Sequence, residues 1–293
     1  MQPITTYNLI DMAWPYRLRG PGNAQSATNG LLYAAGSYRQ NQAGGTPTTT
    51  TTPMPSLELG YFSMHNRSGG VVFAGLAERI PNSLWQAGAW STGNTTYTDA
   101  TASAQNTATG DFPVETTAND DGHAIFSQVP FNAVSYVISS ANAGAGATRN
   151  MFRTNRAGTA WTTMAANAFY VTLPAVVPVT GTTVANEGLI VWGGPEDWGK
   201  TTVSTNASFT GVPLGMYGIS IRSSTAPTAA AVADSLSIYR VYWCTEALAD
   251  NGTFEWTGGA MGAWLEPQGD ALVPLFSTAD EGNRITVLVR PRG

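Results

Sequence analysis

One cysteine, two histidines and a single lysine among 293 residues leave little from which to build reactive chemistry. Cys244 has no partner for an intrachain disulfide or a cysteine-built zinc site. It stands in "RVYWCTE", beside aromatics, and reads as a small buried hydrophobe. His65 ("FSMHNRSGG") and His123 ("NDDGHAIF") show neither H-x-H nor H-x-x-x-H spacing, which excludes a typical zinc centre. No G-x-S-x-G elbow occurs and no histidine lies near Cys244, so a nucleophile–base pair is not expected. "GAGAT" (144–148) has no following lysine and no helical pattern, which removes a phosphate loop. Charged residues make up 11%, less than half the usual ~25%. The net charge of −5 contains no basic run that would release counterions from a phosphate backbone, so nucleic acid is not an expected partner. "MQPITTYNLIDMAWPYRLRG" lacks the basic-then-apolar order of a secretory signal, and no apolar run reaches membrane-spanning length. The expectation is a soluble protein with no membrane partner, no metal and no cofactor. The sequons at Asn66, Asn94, Asn206 and Asn251 then read as chance in an Asn/Thr-rich chain.

What is present is apolar and β-like. Hydrophobic residues make up 43%, enough for a proper core. Period-two or β-branched runs recur at "AVSYVISS" (133–140), "AFYVTLPAV" (168–176), "GLIVWG" (188–193), "YGISIRSS" (217–224), "SLSIYRVYW" (235–243) and "RITVLVRP" (284–291). In "YGISIRSS", Tyr217, Ile219 and Ile221 share one face while Ser220 and Arg222 share the other, the pattern of a half-buried strand. Turn signals separate the runs: "NDDGH", "NAGAGAT", "NRAGT", "GGPEDWG", "DNGT" and "DEGN". The one expected helix is a turn or two around "PTAAAVADSL" (227–236). Many short strands with Gly-rich turns predict an all-β fold, a β-sandwich of jelly-roll type.

Three segments follow from changes of texture. Residues 1–70 read as an extended N-terminal arm, because "GGTPTTTTTPMP" (44–55) sets five threonines between prolines and excludes helix. Residues 71–242 hold the sandwich, and 243–293 a small C-terminal β element. The arm carries Trp14, Tyr16, Tyr33, Tyr38, Tyr61 and Phe62, more rings than a solvated linker uses. These either fold back on the arm's own domain or make assembly contacts with neighbouring subunits. In the sandwich, "SLWQAGAW" places Trp85 and Trp90 beside a polar Thr/Asn tract. The tryptophans are expected as plugs and the tract as surface strands.

Two segments offer a site. "VWGGPEDW" sets Glu196 and Asp197 between Trp192 and Trp198, a pattern shared by sugar-binding loops and by tight inter-strand turns. As a ligand site it would take a glycan, with catalysis by the acid pair the least expected use. "NDDGH" brings Asn119, Asp120 and Asp121 together, but without the alternating ligands of a calcium loop. It reads better as an Asx turn with Gly122 at positive φ.

Taken in order, "W-x4-W…YTDAT-x2-AQ…DF-x-VETT…DGH…PFNAVSYVISSA…GTAW", then "VWGGPEDW", then "YGISIRSSTAPTAAAVADSLSIYR", resembles a β-sandwich module of tailed-phage virion proteins. The resemblance runs from about Val71 to Arg240. It implies a structural role on the phage head or in its fibres, as a homotrimer, with a major capsid protein or another virion protein as partner. The function expected is therefore non-enzymatic: a capsid decoration or cement protein that clamps neighbouring capsid subunits through its arm. The alternative is a tail- or head-fibre module that binds host glycans.

Overall fold

The structure is a computed structural model. It describes residues 16–17, 33–34, 37–40, 48–49, 57–66, 69–93, 95–106, 112–140, 149–164, 169–172, 188–193, 197–256, 271–276 and 284–291. It is all-β, with sheets in a sandwich-like arrangement and one short α-helix among the described residues. The chain forms two compact units, one of residues 1–79 and 241–293, the other of residues 80–240. Both chain ends thus belong to one unit, where an arm (1–70) and a separate C-terminal element (243–293) were expected.

The 80–240 unit is built around an eight-stranded sheet. Its order is Trp161–Thr163, Arg149–Thr154, Tyr217–Ser223, Gly122–Ser127, Trp85–Ser91, Thr96–Asp99, Phe209–Thr210 and Thr205–Asn206. Against it stand Phe169–Thr172, Gly188–Trp192, Ala133–Ser140, the first part of the long Val232–Leu248 strand, and Phe112–Pro113. Residues opposed across an antiparallel pair point the same way. His123 is opposed to Ala89 and Ile221, and its ring reaches Tyr136 on the facing sheet. Trp85, Ala87, Ile125 and Ile219 share this inward face. Trp90, Gly88, Ala124, Phe126, Ser220 and Arg222 take the other. Trp85 and Trp90 are five residues apart on one strand, an odd spacing, so they plug opposite faces of the same sheet.

The second face is not solvated. Residues 203–216 fold over it and deliver Val203, Phe209, Val212 and Met216 onto Trp90, Tyr97, Ala124 and Phe126, with Trp161 closing the side. Trp90 meets Trp161 edge-on at 5.3 Å, Tyr97 meets Phe126 at 5.1 Å and Trp161 meets Phe209 at 5.1 Å. Each such pair adds about 1 kcal/mol beyond its buried area. The half-buried reading of Tyr217–Ser223 is therefore corrected. The two faces were assigned to the right residues, but Ser220 and Arg222 are buried on this second face rather than solvated.

Two local readings also change. The helix is Thr101–Gln105, not 227–236. The Asp99 carboxylate accepts from the Thr101 backbone N–H at 3.1 Å and holds the first turn, and Gln105 donates to the carbonyls of Asn82 and Trp85. In the Ala-rich segment, Val232 and Ala233 pair instead with Pro113 and Phe112, and sheet pairing overrides helix propensity. Positive φ in the "NDDGH" turn falls on Asp120 (61°), whose N–H reaches the Ser223 carbonyl at 2.7 Å. Gly122 is a strand residue whose task is closeness: a Cβ there would stand 2.0 Å from the Ile221 carbonyl oxygen.

In the other unit Leu57–His65 lies between Arg284–Pro291 and Thr253–Trp256, with Tyr16–Arg17 at the edge. Asn66 ends this strand as a buried clamp. Its amide donates to the carbonyls of Gly70 (2.7 Å) and Leu248 (2.9 Å), and its backbone exchanges hydrogen bonds with the 251–252 turn. In the folded chain the Asn66 side chain is fully buried and its amide bonded.

Gly122→Ala is expected to cost about 2 kcal/mol or more, because the new methyl meets rigid backbone rather than a movable side chain. A urea titration of the full chain reads this as a lower midpoint, whereas Gly70→Ala, which meets nothing within 4 Å, leaves the midpoint in place.

Candidate functional site

The most concentrated chemistry in the 80–240 unit lies between its sheets. The His123 ring is buried, with Nδ1 2.7 Å from the Val114 carbonyl and Nε2 2.8 Å from the Tyr136 hydroxyl. A carbonyl only accepts, so Nδ1 carries the proton. Burial lowers the pKa from 6.5 to about 4, against a raising contribution from the Val114 carbonyl, so the ring is neutral at pH 7. Nε2 therefore accepts from Tyr136. Burial also pushes the Tyr136 phenol well above its ordinary value, so it stays a donor. Phe112 and Tyr136 wall the ring edge-on at 5.8 and 5.5 Å. Both nitrogens are spent on the protein itself. What this arrangement can do chemically is tie one sheet to the other.

A polar chain continues from His123 through the eight-stranded sheet. Its carbonyl accepts from Ser220 Oγ at 3.1 Å, and Ser220 Oγ accepts from Arg222 Nε at 2.9 Å. The Arg222 guanidinium lies 4.1 Å from the Phe152 ring centre, 4.9 Å from Trp90 and 5.3 Å from Trp161. Desolvation lowers its pKa to about 9, and the nearby Asp120 and Asp121 oppose that shift. It remains a cation at neutral pH, held by ring faces where its Nη2 has no hydrogen-bond acceptor. Asp121, considered above as part of a calcium loop, accepts from the Thr92 N–H at 2.6 Å and from Thr116 Oγ1 at 3.3 Å. Tyr136, Ser220 and Arg222 were missed as a network. The odd Trp85–Trp90 spacing was the available signal, since it sends one large ring to the face that Ser220 and Arg222 share.

The segment with glycan-site character is arranged differently from a sugar platform. Trp192 is 0% exposed, its ring edge-on to Phe131 at 5.5 Å. Trp198 is half-buried, tilted against Phe131 and Tyr217 at 5.3 and 5.2 Å, and its indole N–H donates to the Gly218 carbonyl at 3.0 Å. Phe131 thus joins the two tryptophans into one packed group. Stacking a sugar on Trp192 would require repacking this corner. Asp197 is exposed, and its backbone carbonyl accepts from Arg153 Nη1. Glu196 lies outside the described residues.

Of the arm's aromatics, Trp14 lies outside the described residues. Tyr16, Tyr33 and Tyr38 fall on the short strands Tyr16–Arg17, Tyr33–Ala34 and Ser37–Gln40, and Tyr61 and Phe62 on Leu57–His65. Tyr33 and Tyr38 are directly opposed across their strand pair. No protein-family model, curated protein or solved structure matches this chain.

The His123 bridge makes stability depend on pH in a known direction. The unfolded chain takes up a proton near pH 6.5, while the folded ring resists until about pH 4. The unfolded state thus binds more protons in this window, and stability falls as the pH drops through it, by about 3 kcal/mol in all. Urea midpoints measured from pH 7 to pH 4 should show this slope, and His123→Gln should remove most of it while lowering stability at pH 7.

Proposed function

We propose that the chain is a non-enzymatic structural protein of a phage virion, a head decoration or cement protein that clamps neighbouring capsid subunits through its N-terminal residues. The observation that carries this reading is the use made of the large rings. Trp85, Trp90, Trp192, Tyr136, Phe112, Phe126, Phe131 and Phe209 are fully buried. The titratable groups His123 and Arg222 are likewise spent on joining layers. The result is a stiff body cross-braced through two layers, suited to bearing load on a particle surface.

Further support comes from the resemblance over 71–240 to β-sandwich modules of tailed-phage virions, and from the ring-rich 1–70 segment that precedes it. In this reading the protein works as a homotrimer, is made in the host cytoplasm and ends in the virion, with a capsid protein as its partner. A fibre module that binds host glycans through Trp192, Glu196, Asp197 and Trp198 has less behind it, because Trp192 is fully buried and Trp198 is half-buried against Phe131 and Tyr217.

The test replaces Tyr16, Tyr33 and Tyr38 together by serine in the full-length chain and measures co-sedimentation with particles lacking the protein. Attachment is expected to fall tenfold or more while the thermal midpoint of the 80–240 unit holds. Undiminished attachment would contradict the clamp.

A further inference from the structure

Four strands of the unit that holds both chain ends bring one row of residues together. Arg17 is opposed to Arg284, Arg284 to His65, and His65 to Thr253, across the whole width of the sheet. Opposed residues share a face, and neighbouring strands run about 4.8 Å apart, so the row spans about 14 Å. Two arginines and a histidine thus take consecutive places on one face. The next row of that face is Thr286, Ser63 and Glu255. Arg17 and Arg284 come from opposite ends of the chain, which is why no basic run marks the row in the sequence.

The row is anchored on its His65 side. The Asn66 N–H donates to the Gly252 carbonyl at 2.9 Å, and the Asn251 N–H donates to the Asn66 carbonyl at 2.8 Å. These bonds fix the residues next to His65 and Thr253. Thr253 is exposed and His65 half-buried, with Nδ1 3.0 Å from Thr253 Oγ1. That is the ring's hydrogen bond among the described residues, and it leaves Nε2 for a ligand.

The arrangement has a cost. Like charges directly opposed across two strands destabilise a sheet, and arginine cannot relieve this by losing a proton. No acid of the sheet shares the row. Glu255 stands one row away, opposite Ser63, and Glu58 is opposed to Arg290. Asp250, on the turn before Thr253, accepts from the Gly69 N–H at 3.0 Å and from the Asn251 amide at 2.8 Å. A multivalent oxyanion meets what the row lacks. It offsets both arginines, matches the fork of a guanidinium, and accepts from an imidazole or a hydroxyl.

We propose that this row is a binding site for a phosphate group. Arg17 and Arg284 supply the charge, and His65 and Thr253 supply further donors to its oxygens. The same chemistry covers free phosphate and phosphate carried on a sugar. The site goes beyond the assembly reading and does not rest on it.

The experiment uses the full-length chain with ¹⁵N-labelled histidine. Its His65 ring shifts are followed during titration with sodium phosphate at constant pH, with sodium chloride keeping the ionic strength fixed. They should move saturably, while those of buried His123 stay in place. The same titration with glucose 1-phosphate separates the two sources. Binding at least tenfold tighter assigns the site to a sugar phosphate, and equal or weaker binding assigns it to the free anion. Arg17→Gln with Arg284→Gln should weaken binding at least tenfold with an unchanged circular dichroism spectrum, and Arg290→Gln should not. Phosphate should also raise the thermal midpoint of the unaltered chain but not that of the double variant, because a ligand held only by the folded state stabilises it. His65 shifts that respond to neither phosphate overturn the proposal, as does a response that the double variant retains. Either failure would leave attachment to particles, measured separately, as the test of the assembly role.

Discussion

A neutral imidazole held between two sheets sets the terms for the rest of the 80–240 unit. His123 stands on a strand whose inward neighbours, Ile125, Ile219 and Ile221, are apolar, and it is opposed to Ala89 and Ile221. A charged ring could not be placed there without a large desolvation penalty. A neutral ring with one unbonded nitrogen would leave a buried polar atom at a cost of about 1–3 kcal/mol. Val114 and Tyr136 remove both difficulties at once, one as acceptor and one as donor. Val114 is itself positioned through its N–H to the Ala231 carbonyl, next to the pairing of Phe112 with Ala233. The bridge thereby binds the eight-stranded sheet, the facing sheet and the chain between them into one arrangement.

The second layer follows from the same strand geometry. Once His123 and Ile221 point inward, Ser220 and Arg222 must point outward, and a buried arginine there needs partners that tolerate a cation. Phe152, Trp90 and Trp161 supply ring faces, while Ser220 passes a hydrogen bond back to the His123 carbonyl. The outer rings are therefore more than filler: they are what allows Arg222 to be buried while charged. The two layers are coupled through side chains of a single strand, Tyr217–Ser223, which is buried along both faces. Such coupling is useful in a load-bearing part, and it supports the structural role proposed for the protein.

Much of the architecture could be read from alternation. The strands Ala133–Ser140 and Arg284–Pro291 fall where "AVSYVISS" and "RITVLVRP" place them, and Gly188–Trp192 and Tyr217–Ser223 differ from their expected spans by one residue. Alternation states which residues share a face, but not what covers it. Ser220 and Arg222 looked solvated because the rings that cover the Arg222 guanidinium, Phe152, Trp90 and Trp161, come from strands distant in sequence. Distance in sequence also hid the roles of Gly122, which yields to Ile221, and Asn66, which clamps Leu248. The tryptophans at 192 and 198 carried a sugar-site pattern because aromatic–acid–aromatic spacing is shared by binding loops and packed corners. Phe131, far away in the chain, joins them into the latter.

The most direct test of the cross-sheet bridge is the protonation state of one ring. In a chain carrying ¹⁵N-labelled histidine, ring-nitrogen shifts followed from pH 8 to pH 4 distinguish His123 from the only other histidine, His65. The account predicts that His123 stays neutral with its proton on Nδ1 throughout pH 8 to 5 and begins to titrate only near pH 4. A His123 that titrates near pH 6.5, or that carries its proton on Nε2, would contradict it.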